Sequence, residues 1–108
     1  MKRLMKKLLL ALLMSLCFIS VSQAQSMLTP AAVPKNLHVY NKAGNTYVDT
    51  IATECSGVRY ILEPTHAKYN AVFSLLLAAQ MGGKKVSLKF SECNNIPQGI
   101  IEGVYLVE

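Results

Sequence analysis

The sequence predicts a mainly β domain with one helix, folded as a small barrel of the OB-fold type. Five short segments have the residue alternation of strands, and turn-forming residues separate them. One segment has helical periodicity, and it lies between the third and fourth strand segments. The order β-β-β-α-β-β is that of the OB-fold, in which closing the sheet removes its edges and the helix covers one end of the barrel.

Residues 1–24 have the composition of a secretory signal peptide. A basic start precedes the apolar run Leu8–Val21, and Ser22 and Ala24 place small residues before a cleavage point after Ala24. The apolar run is too short for a transmembrane anchor. We therefore expect a secreted or periplasmic protein with no membrane span after signal cleavage.

The mature chain is expected to be close to neutral. The full sequence of 108 residues carries +5, but four of its basic residues lie within 1–24, so the remaining 84 residues carry +1. The chain has five tyrosines and no tryptophan. An OB-fold that binds single-stranded nucleic acid needs a basic groove interleaved with aromatic side chains. We therefore expect no nucleic-acid partner.

Two cysteines remain once the signal peptide and its Cys17 are removed, and we expect them to form a disulfide. Export favours oxidation, and Cys55 and Cys93 are an even pair. The bond would close a loop of about 40 residues and contribute about 4 kcal/mol in the chain-entropy model. The alternative is a metal site that adds His38 and His66, but no pair has close ligand spacing. No metal or other cofactor is therefore expected.

The mature chain is expected to start with a flexible leader, residues 25–35, followed by the OB-fold domain, residues 36–108. The leader contains two prolines and has no period. Leu37 and Val39 alternate with their neighbours, which predicts the first strand. Residues 42–45 have turn chemistry, and the β-branched segment after them predicts a second strand that forms a hairpin with the first.

The third strand is expected over residues 58–62 and the helix over residues 66–81. Pro64 interrupts the strand because it has no N–H to donate to a ladder, and Thr65 is a candidate N-cap for the helix. The two glycines that follow the helix suit a left-handed C-cap.

The predicted helix is apolar on nearly every side. One stripe is expected to face the sheet: Tyr69, Val72, Phe73, Leu76, Leu77 and Gln80. The opposite side carries Ala71, Leu75, Ala78 and Ala79. Either neighbouring subunits cover this second side, or its small residues are tolerated at a surface with Leu75 as a single exposed leucine.

Two strands are expected after the helix. Residues 85–90 alternate apolar and polar side chains, which predicts a strand with one solvated face. Cys93 lies in the turn-rich loop that follows. Residues 100–108 form the last strand, in which Gly103 marks a bend or a bulge.

The segment YNAVFSLLLAAQMGGKKVSLKFSEC, together with VRYILEP and GVYLVE, resembles small secreted bacterial proteins related to the B subunits of subtilase cytotoxin. The resemblance covers roughly residues 36–108. It implies an OB-fold B subunit of a Gram-negative bacterium, a ring of five copies whose helices line a central channel, and recognition of host-cell glycans. The sugar-contacting loops of those toxins have no match here, so no residue is carried over. A toxin A subunit is not implied by this chain.

Catalysis has little support in the sequence. The six carboxylates form no close motif. His66 and Cys55 could be drawn as a base and a nucleophile, but export and the presence of Cys93 favour a disulfide. We therefore expect no catalytic residues and no enzymatic activity.

Sugar recognition combines an aromatic face with polar groups, and tyrosines on the predicted strands could supply that face: Tyr40, Tyr47 and Tyr60. The alternative is that these tyrosines belong to the barrel, with their hydroxyls at the rim. The interpretation is a secreted, non-enzymatic binding module, with a cell-surface glycan as first ligand and a homopentamer as first assembly. A monomeric periplasmic protein that binds or inhibits another protein is the alternative.

Overall fold

The computed structural model describes residues 27–108, so the predicted signal peptide at 1–24 lies outside the described residues. The described chain is mainly β with a single helix, as predicted. Its elements are β1 (Met27–Leu28), β2 (Lys35–Val39), β3 (Thr46–Asp49), β4 (Arg59–Leu62), α1 (Tyr69–Gly82), β5 (Lys85–Cys93) and β6 (Gly99–Val107). Within residues 27–108, no helix is both long enough and apolar enough to cross a membrane.

The strands form one sheet in the order β1-β5-β6-β4-β3-β2. Neighbouring strands are antiparallel except β4 and β6, which run parallel. Without β1, the order β2-β3-β4-β6-β5 is that of a partly open OB-fold barrel. The helix α1 contacts β2, β5 and β6 and so bridges the two end regions of the sheet. The Leu37 N–H donates to Gln80 Oε1 at 2.9 Å, which ties β2 to the helix.

The core lies between α1 and one face of the sheet. Alternating residues of β3 and β5 enter it, as the period of two requires. In β3, Thr46 and Val48 are buried, so Tyr47 and Asp49 belong to the opposite face. The buried apolar cluster comprises Val48, Tyr60, Leu62, Val72, Leu76, Ala79, Val86, Leu88, Phe90 and Ile101.

The predicted N-cap of the helix is wrong, whereas its C-cap is confirmed. The helix begins at Tyr69 with Lys68 as N-cap, so Thr65 lies outside it. His66 takes over part of the capping role, because the Lys68 N–H donates to His66 Nδ1 at 2.9 Å. At the other end Gly83 adopts a left-handed conformation with φ of 64°, and glycine has no Cβ to penalise it.

The buried stripe of α1 differs from the predicted one. It runs through Val72, Leu76 and Ala79, whereas Leu77 is 39% exposed. Ala79 was expected on the second side of the helix, but it is 2% exposed and belongs to the core. Of the other residues predicted for that side, two are exposed and one is half-buried: Ala71, Ala78 and Leu75. Both stripes satisfy a period of 3.6 residues, so helical spacing alone did not fix the direction that faces the sheet.

The segment predicted as a flexible leader is held against β5 over its described residues. Met27 and Leu28 pair with Phe90 and Lys89. The buried Thr29 donates its N–H to the Leu88 carbonyl at 2.9 Å, and its hydroxyl accepts from the Leu88 N–H at 2.8 Å. The segment therefore extends the sheet at its β5 end, because that edge of β5 offers unpaired backbone groups.

The predicted disulfide between Cys55 and Cys93 is present, with the two Cα atoms 6.2 Å apart and 38 positions separating them. Cys93 is the last residue of β5, and Cys55 lies in the loop between β3 and β4. Both side chains pack against the core cluster. The bond therefore joins the end of β5 to the loop between β3 and β4.

Candidate functional site

An open depression of about 300 Å³ lies on the face of β2, β3 and β4 that points away from the core. We call it the aromatic depression. It is lined by His38, Tyr40, Tyr47, Arg59, Ile96 and Gln98. The first four come from the β2–β3 hairpin and β4, and the last two from the loop between β5 and β6, residues 94–98. Sequence-distant segments therefore meet at one surface.

The aromatic side chains of this surface form a contiguous group. Tyr40 and Tyr47 meet edge to face, with ring centroids 5.9 Å apart and an angle of 82° between their planes. The His38 ring also neighbours Tyr47, with 5.6 Å between the ring centroids. Tyr40 is 73% exposed, which leaves most of its ring available to a ligand. Aromatic pairs of this geometry stabilise a protein by more than the area they bury would give. The rings therefore form a preformed apolar platform.

His38 has a defined tautomer in its neutral form. Its Nδ1 lies 2.6 Å from the carbonyl oxygen of Asn36. A carbonyl oxygen can only accept, so Nδ1 carries the proton and donates it. In the neutral ring Nε2 is then the acceptor. The carbonyl is placed by the positive φ of 54° at Asn36, a conformation that asparagine tolerates better than most residues.

Arg59 is fixed by a two-point ion pair with Asp49. Its Nε donates to Asp49 Oδ1 at 2.8 Å and its Nη2 donates to Oδ2 at 3.1 Å. Asn36 Nδ2 donates to the same Oδ2 at 2.9 Å. The hydrogen bond from Arg59 holds the pKa of Asp49 below its usual value of 3.8, although burial opposes this, and Asp49 raises the pKa of Arg59 in return.

The ion pair leaves part of the guanidinium free. Nη1 has no hydrogen-bond partner within the part of the chain that the structure describes. The Asp49 side chain is only 15% exposed, whereas that of Arg59 is 44% exposed. The charge of Arg59 is therefore balanced, but its free N–H groups remain oriented donors at the surface.

The loop 94–98 is fastened both internally and to the opposite loop. Asn94 Oδ1 accepts from the Ile96 N–H at 3.1 Å and from the Gln98 N–H at 2.8 Å. The Gly57 N–H donates to the Pro97 carbonyl at 3.3 Å. These bonds, together with the disulfide at Cys93, fasten the loop that forms one wall of the aromatic depression.

Gly99 anchors the end of this loop by a close approach to the core. Its N–H donates to Ser56 Oγ at 2.7 Å. A Cβ at this position would lie 2.6 Å from the Tyr60 ring, closer than carbon atoms pack, so glycine is required here.

The three tyrosines predicted to contact a ligand separate into two groups. Tyr40 and Tyr47 come together in the aromatic depression. Tyr60 does not, because its side chain is fully buried. Its ring packs 5.4 Å from that of Phe90, and its hydroxyl donates to the Ile51 carbonyl at 2.7 Å. Tyr60 is therefore a core residue, and its assignment to a ligand site is corrected.

Arg59 is the charged site residue that the sequence did not predict. The segment VRYIL predicts a strand, but its apolar residues do not show which face is buried. Asp49 and Arg59 are direct partners across the antiparallel pair of β3 and β4. Opposite charges at facing positions of adjacent strands stabilise such pairs, and that register was the available signal.

The residues considered for catalysis or metal binding have structural partners. Cys55 is in the disulfide, and His66 Nε2 lies 2.7 Å from the Glu102 carbonyl, to which it donates when protonated. Among residues 27–108, no three His, Cys, Asp or Glu side chains gather in the manner of a metal site. The side chains that line the aromatic depression offer hydrogen-bond donors and acceptors and aromatic contact.

Comparison of the chain with protein-family models, with curated proteins and with solved structures gives no significant match.

Proposed function

We propose that the protein is a secreted, non-enzymatic module that binds a cell-surface glycan in the aromatic depression. The observation that carries the proposal is the exposed Tyr40–Tyr47 pair beside the ion-paired Arg59. A sugar ring has apolar C–H faces and a hydroxyl-rich edge. It can therefore lie against the tyrosine rings while its edge bonds to the polar side chains around them.

The position of the aromatic depression supports the proposal. OB-folds commonly bind oligosaccharides or oligonucleotides on the face of their second and third strands, flanked by the loops after the first and fourth strands. In this protein the corresponding strands are β3 and β4. The corresponding loops are the turn that contains Tyr40, after β2, and the loop 94–98, after β5. This is an analogy of fold, which locates a surface but does not name a ligand. Among residues 27–108, Arg59 is the only Arg or Lys that lines the depression, so these residues offer little to a nucleic-acid backbone.

We propose that the protein assembles as a homopentamer, in which the exposed side of α1 contacts neighbouring subunits. That side carries Ala71 and Ala78, with Leu77 and Met81 beside them, and Met81 is 80% exposed. Small residues let helices approach closely, and burying the larger ones is favourable. Several weak sites on one ring would raise the overall affinity for a glycan-covered surface.

The alternative function is that of a monomeric periplasmic protein that binds or inhibits another protein. It is favoured by β6, whose pairing with β4 covers only Gly99 and Ile100. Further along β6, Tyr105, Leu106 and Val107 are exposed. An open strand edge with apolar side chains can pair with an extended segment of a partner protein.

The experiment that tests the glycan proposal is a screen of the mature protein, residues 25–108, on an array of mammalian glycans that includes sialylated and neutral chains. Light scattering after size exclusion reports the assembly state of the same sample. The proposal predicts binding to a defined set of glycans. A blank array from protein that is folded and has its disulfide intact would contradict it and favour the protein-partner alternative.

A further inference from the structure

Asn94 fixes which atom of the Gln98 amide is available in the aromatic depression. Asn94 Oδ1 accepts two backbone N–H groups, from Ile96 and Gln98. Backbone N–H groups can only donate, so the atom that faces them must be the oxygen of the Asn94 amide. The orientation of this side chain therefore follows from the backbone of the loop.

The orientation of Gln98 follows from that of Asn94. With Oδ1 committed to the backbone, the facing atom Asn94 Nδ2 is a donor, and it lies 2.9 Å from Gln98 Oε1. A donor requires an acceptor, so the Gln98 oxygen is occupied. Gln98 Nε2 has no hydrogen-bond partner within residues 27–108, and Gln98 lines the aromatic depression. Its NH₂ group is thus the part of the amide that is left for a ligand.

Arg59 supplies a second free donor on the same surface as the Gln98 NH₂ group. The free Nη1 of Arg59 also has only N–H groups to offer. Both residues line the aromatic depression with Tyr40 and Tyr47. The polar groups contributed by Arg59 and Gln98 are therefore donors only, and a ligand group placed against them has to accept hydrogen bonds.

We propose that Asn94 is a positioning residue that makes the loop side of the aromatic depression a hydrogen-bond donor surface, selective for ligands that present an acceptor there. The inference rests on the proposed function, since it sets the polarity of the same site. A ligand that offers only donors at this point would cover the N–H groups of Arg59 and Gln98 without pairing them, which costs affinity. Asn94 acts through Gln98 and need not touch the ligand.

The variant Asn94→Asp separates this role from a purely structural one. The carboxylate that it introduces still accepts both backbone N–H groups, so the loop keeps its conformation. It has no N–H for Gln98 Oε1, and the Gln98 amide is expected to turn so that its NH₂ donates to the carboxylate. Its oxygen is then the free atom, and the polarity of the site is reversed. Asn95→Asp is the matched control, because Asn95 is exposed in the same loop and the substitution adds the same charge.

The test has two readouts. Nuclear magnetic resonance of the free protein reports solvent exchange of side-chain amides. In the wild type, the Asn94 amide should be protected and that of Gln98 should exchange as fast as that of Asn95; in the Asn94→Asp variant, the Gln98 amide should become protected. Binding to the best glycan of the array should weaken about tenfold or more in Asn94→Asp and stay nearly unchanged in Asn95→Asp, with equal melting temperatures.

Protection of the Gln98 amide in the wild type, or equal binding by wild type and Asn94→Asp, would overturn the inference. If the wild type binds no glycan, the proposed function fails by itself. The exchange measurement still decides the polarity of the loop, so the two failures are distinguishable.

Discussion

Arg59 and Asp49 face each other across β4 and β3 and form an ion pair through two hydrogen bonds, of 2.8 and 3.1 Å. The pair holds the guanidinium at the edge of the aromatic depression, where Tyr47 lies beside it. Arginine suits this position because its planar fork meets both carboxylate oxygens and still has N–H groups to spare. One interaction thus stabilises the hairpin and orients a polar group of the site.

The ion pair predicts a pH dependence of stability. Because the folded-state pKa of Asp49 is lower than its unfolded value of 3.8, the carboxylate stabilises the fold fully above that value. The contribution is lost as the pH falls through the lower folded-state pKa. We expect Asp49→Asn to be less stable than the wild type at neutral pH, and this difference to shrink below pH 3.8. Urea unfolding at a series of pH values measures it, and a difference that does not depend on pH would contradict the assignment.

The disulfide should contribute strongly to stability because it closes a long loop. With a sequence separation of 38 between Cys55 and Cys93, the chain-entropy model gives about 4 kcal/mol. The double variant Cys55→Ala with Cys93→Ala should lose up to about this amount in urea unfolding. The wild type should shift to the same midpoint when a reductant is added. Equal midpoints for wild type with and without reductant would show that the bond does not stabilise the fold.

Gly99 and Gly57 form a matched pair for testing the fastening of the loop 94–98. A Cβ at Gly99 would lie 2.6 Å from the buried Tyr60 ring, whereas one at Gly57 would have nothing within 4 Å. We expect Gly99→Ala to cost about 1–3 kcal/mol through overpacking. Gly57→Ala should change the stability by less than about 0.5 kcal/mol. Denaturant unfolding of both variants gives the comparison, and equal costs would contradict the close approach at Gly99.

A substitution on the exposed side of α1 tests the proposed homopentamer. In a homopentamer, Ala78→Glu should place a charge in the contact between subunits and reduce the mass found by light scattering to that of a monomer, with the fold retained. Ala43→Glu is the control, because Ala43 is exposed in the turn between β2 and β3. The same mass for wild type and Ala78→Glu would mean that this side of the helix is not buried between subunits.

The sequence predicted the structure best where its residue pattern allowed only one interpretation. The hairpin of β2 and β3, the alternation of Val86, Leu88 and Phe90, and the left-handed Gly83 all follow from local rules. The disulfide was predicted from the two cysteines that remain after the predicted signal peptide is removed. These features depend little on what packs against them.

The sequence was least informative where tertiary packing chose between equivalent patterns. The segment VRYIL is apolar at most positions, so alternation did not reveal that Tyr60 enters the core while Arg59 stays outside. The helix offered two apolar stripes, and the sheet selected the one through Ala79. The strand β1 has only two residues, too few for any periodic signal, and its pairing depends on the free edge of β5.

The candidate site could be predicted only in part from the sequence. Tyr40 and Tyr47 lie on one hairpin, so their proximity follows from the turn between them. The loop 94–98 reaches the same surface only because β6 pairs in parallel with β4 and the disulfide fastens the neighbouring loop. Long-range contacts of this kind have no local sequence signal.

The measurement that tests the central claim most directly is the affinity of Tyr40→Ala and of Tyr105→Ala for the strongest glycan found on the array. Both tyrosines are largely exposed, so neither substitution should unfold the protein, but only Tyr40 lines the aromatic depression. The account predicts that Tyr40→Ala weakens binding about tenfold or more, whereas Tyr105→Ala binds as the wild type does. Equal affinities for wild type and Tyr40→Ala, or a loss confined to Tyr105→Ala, would contradict it.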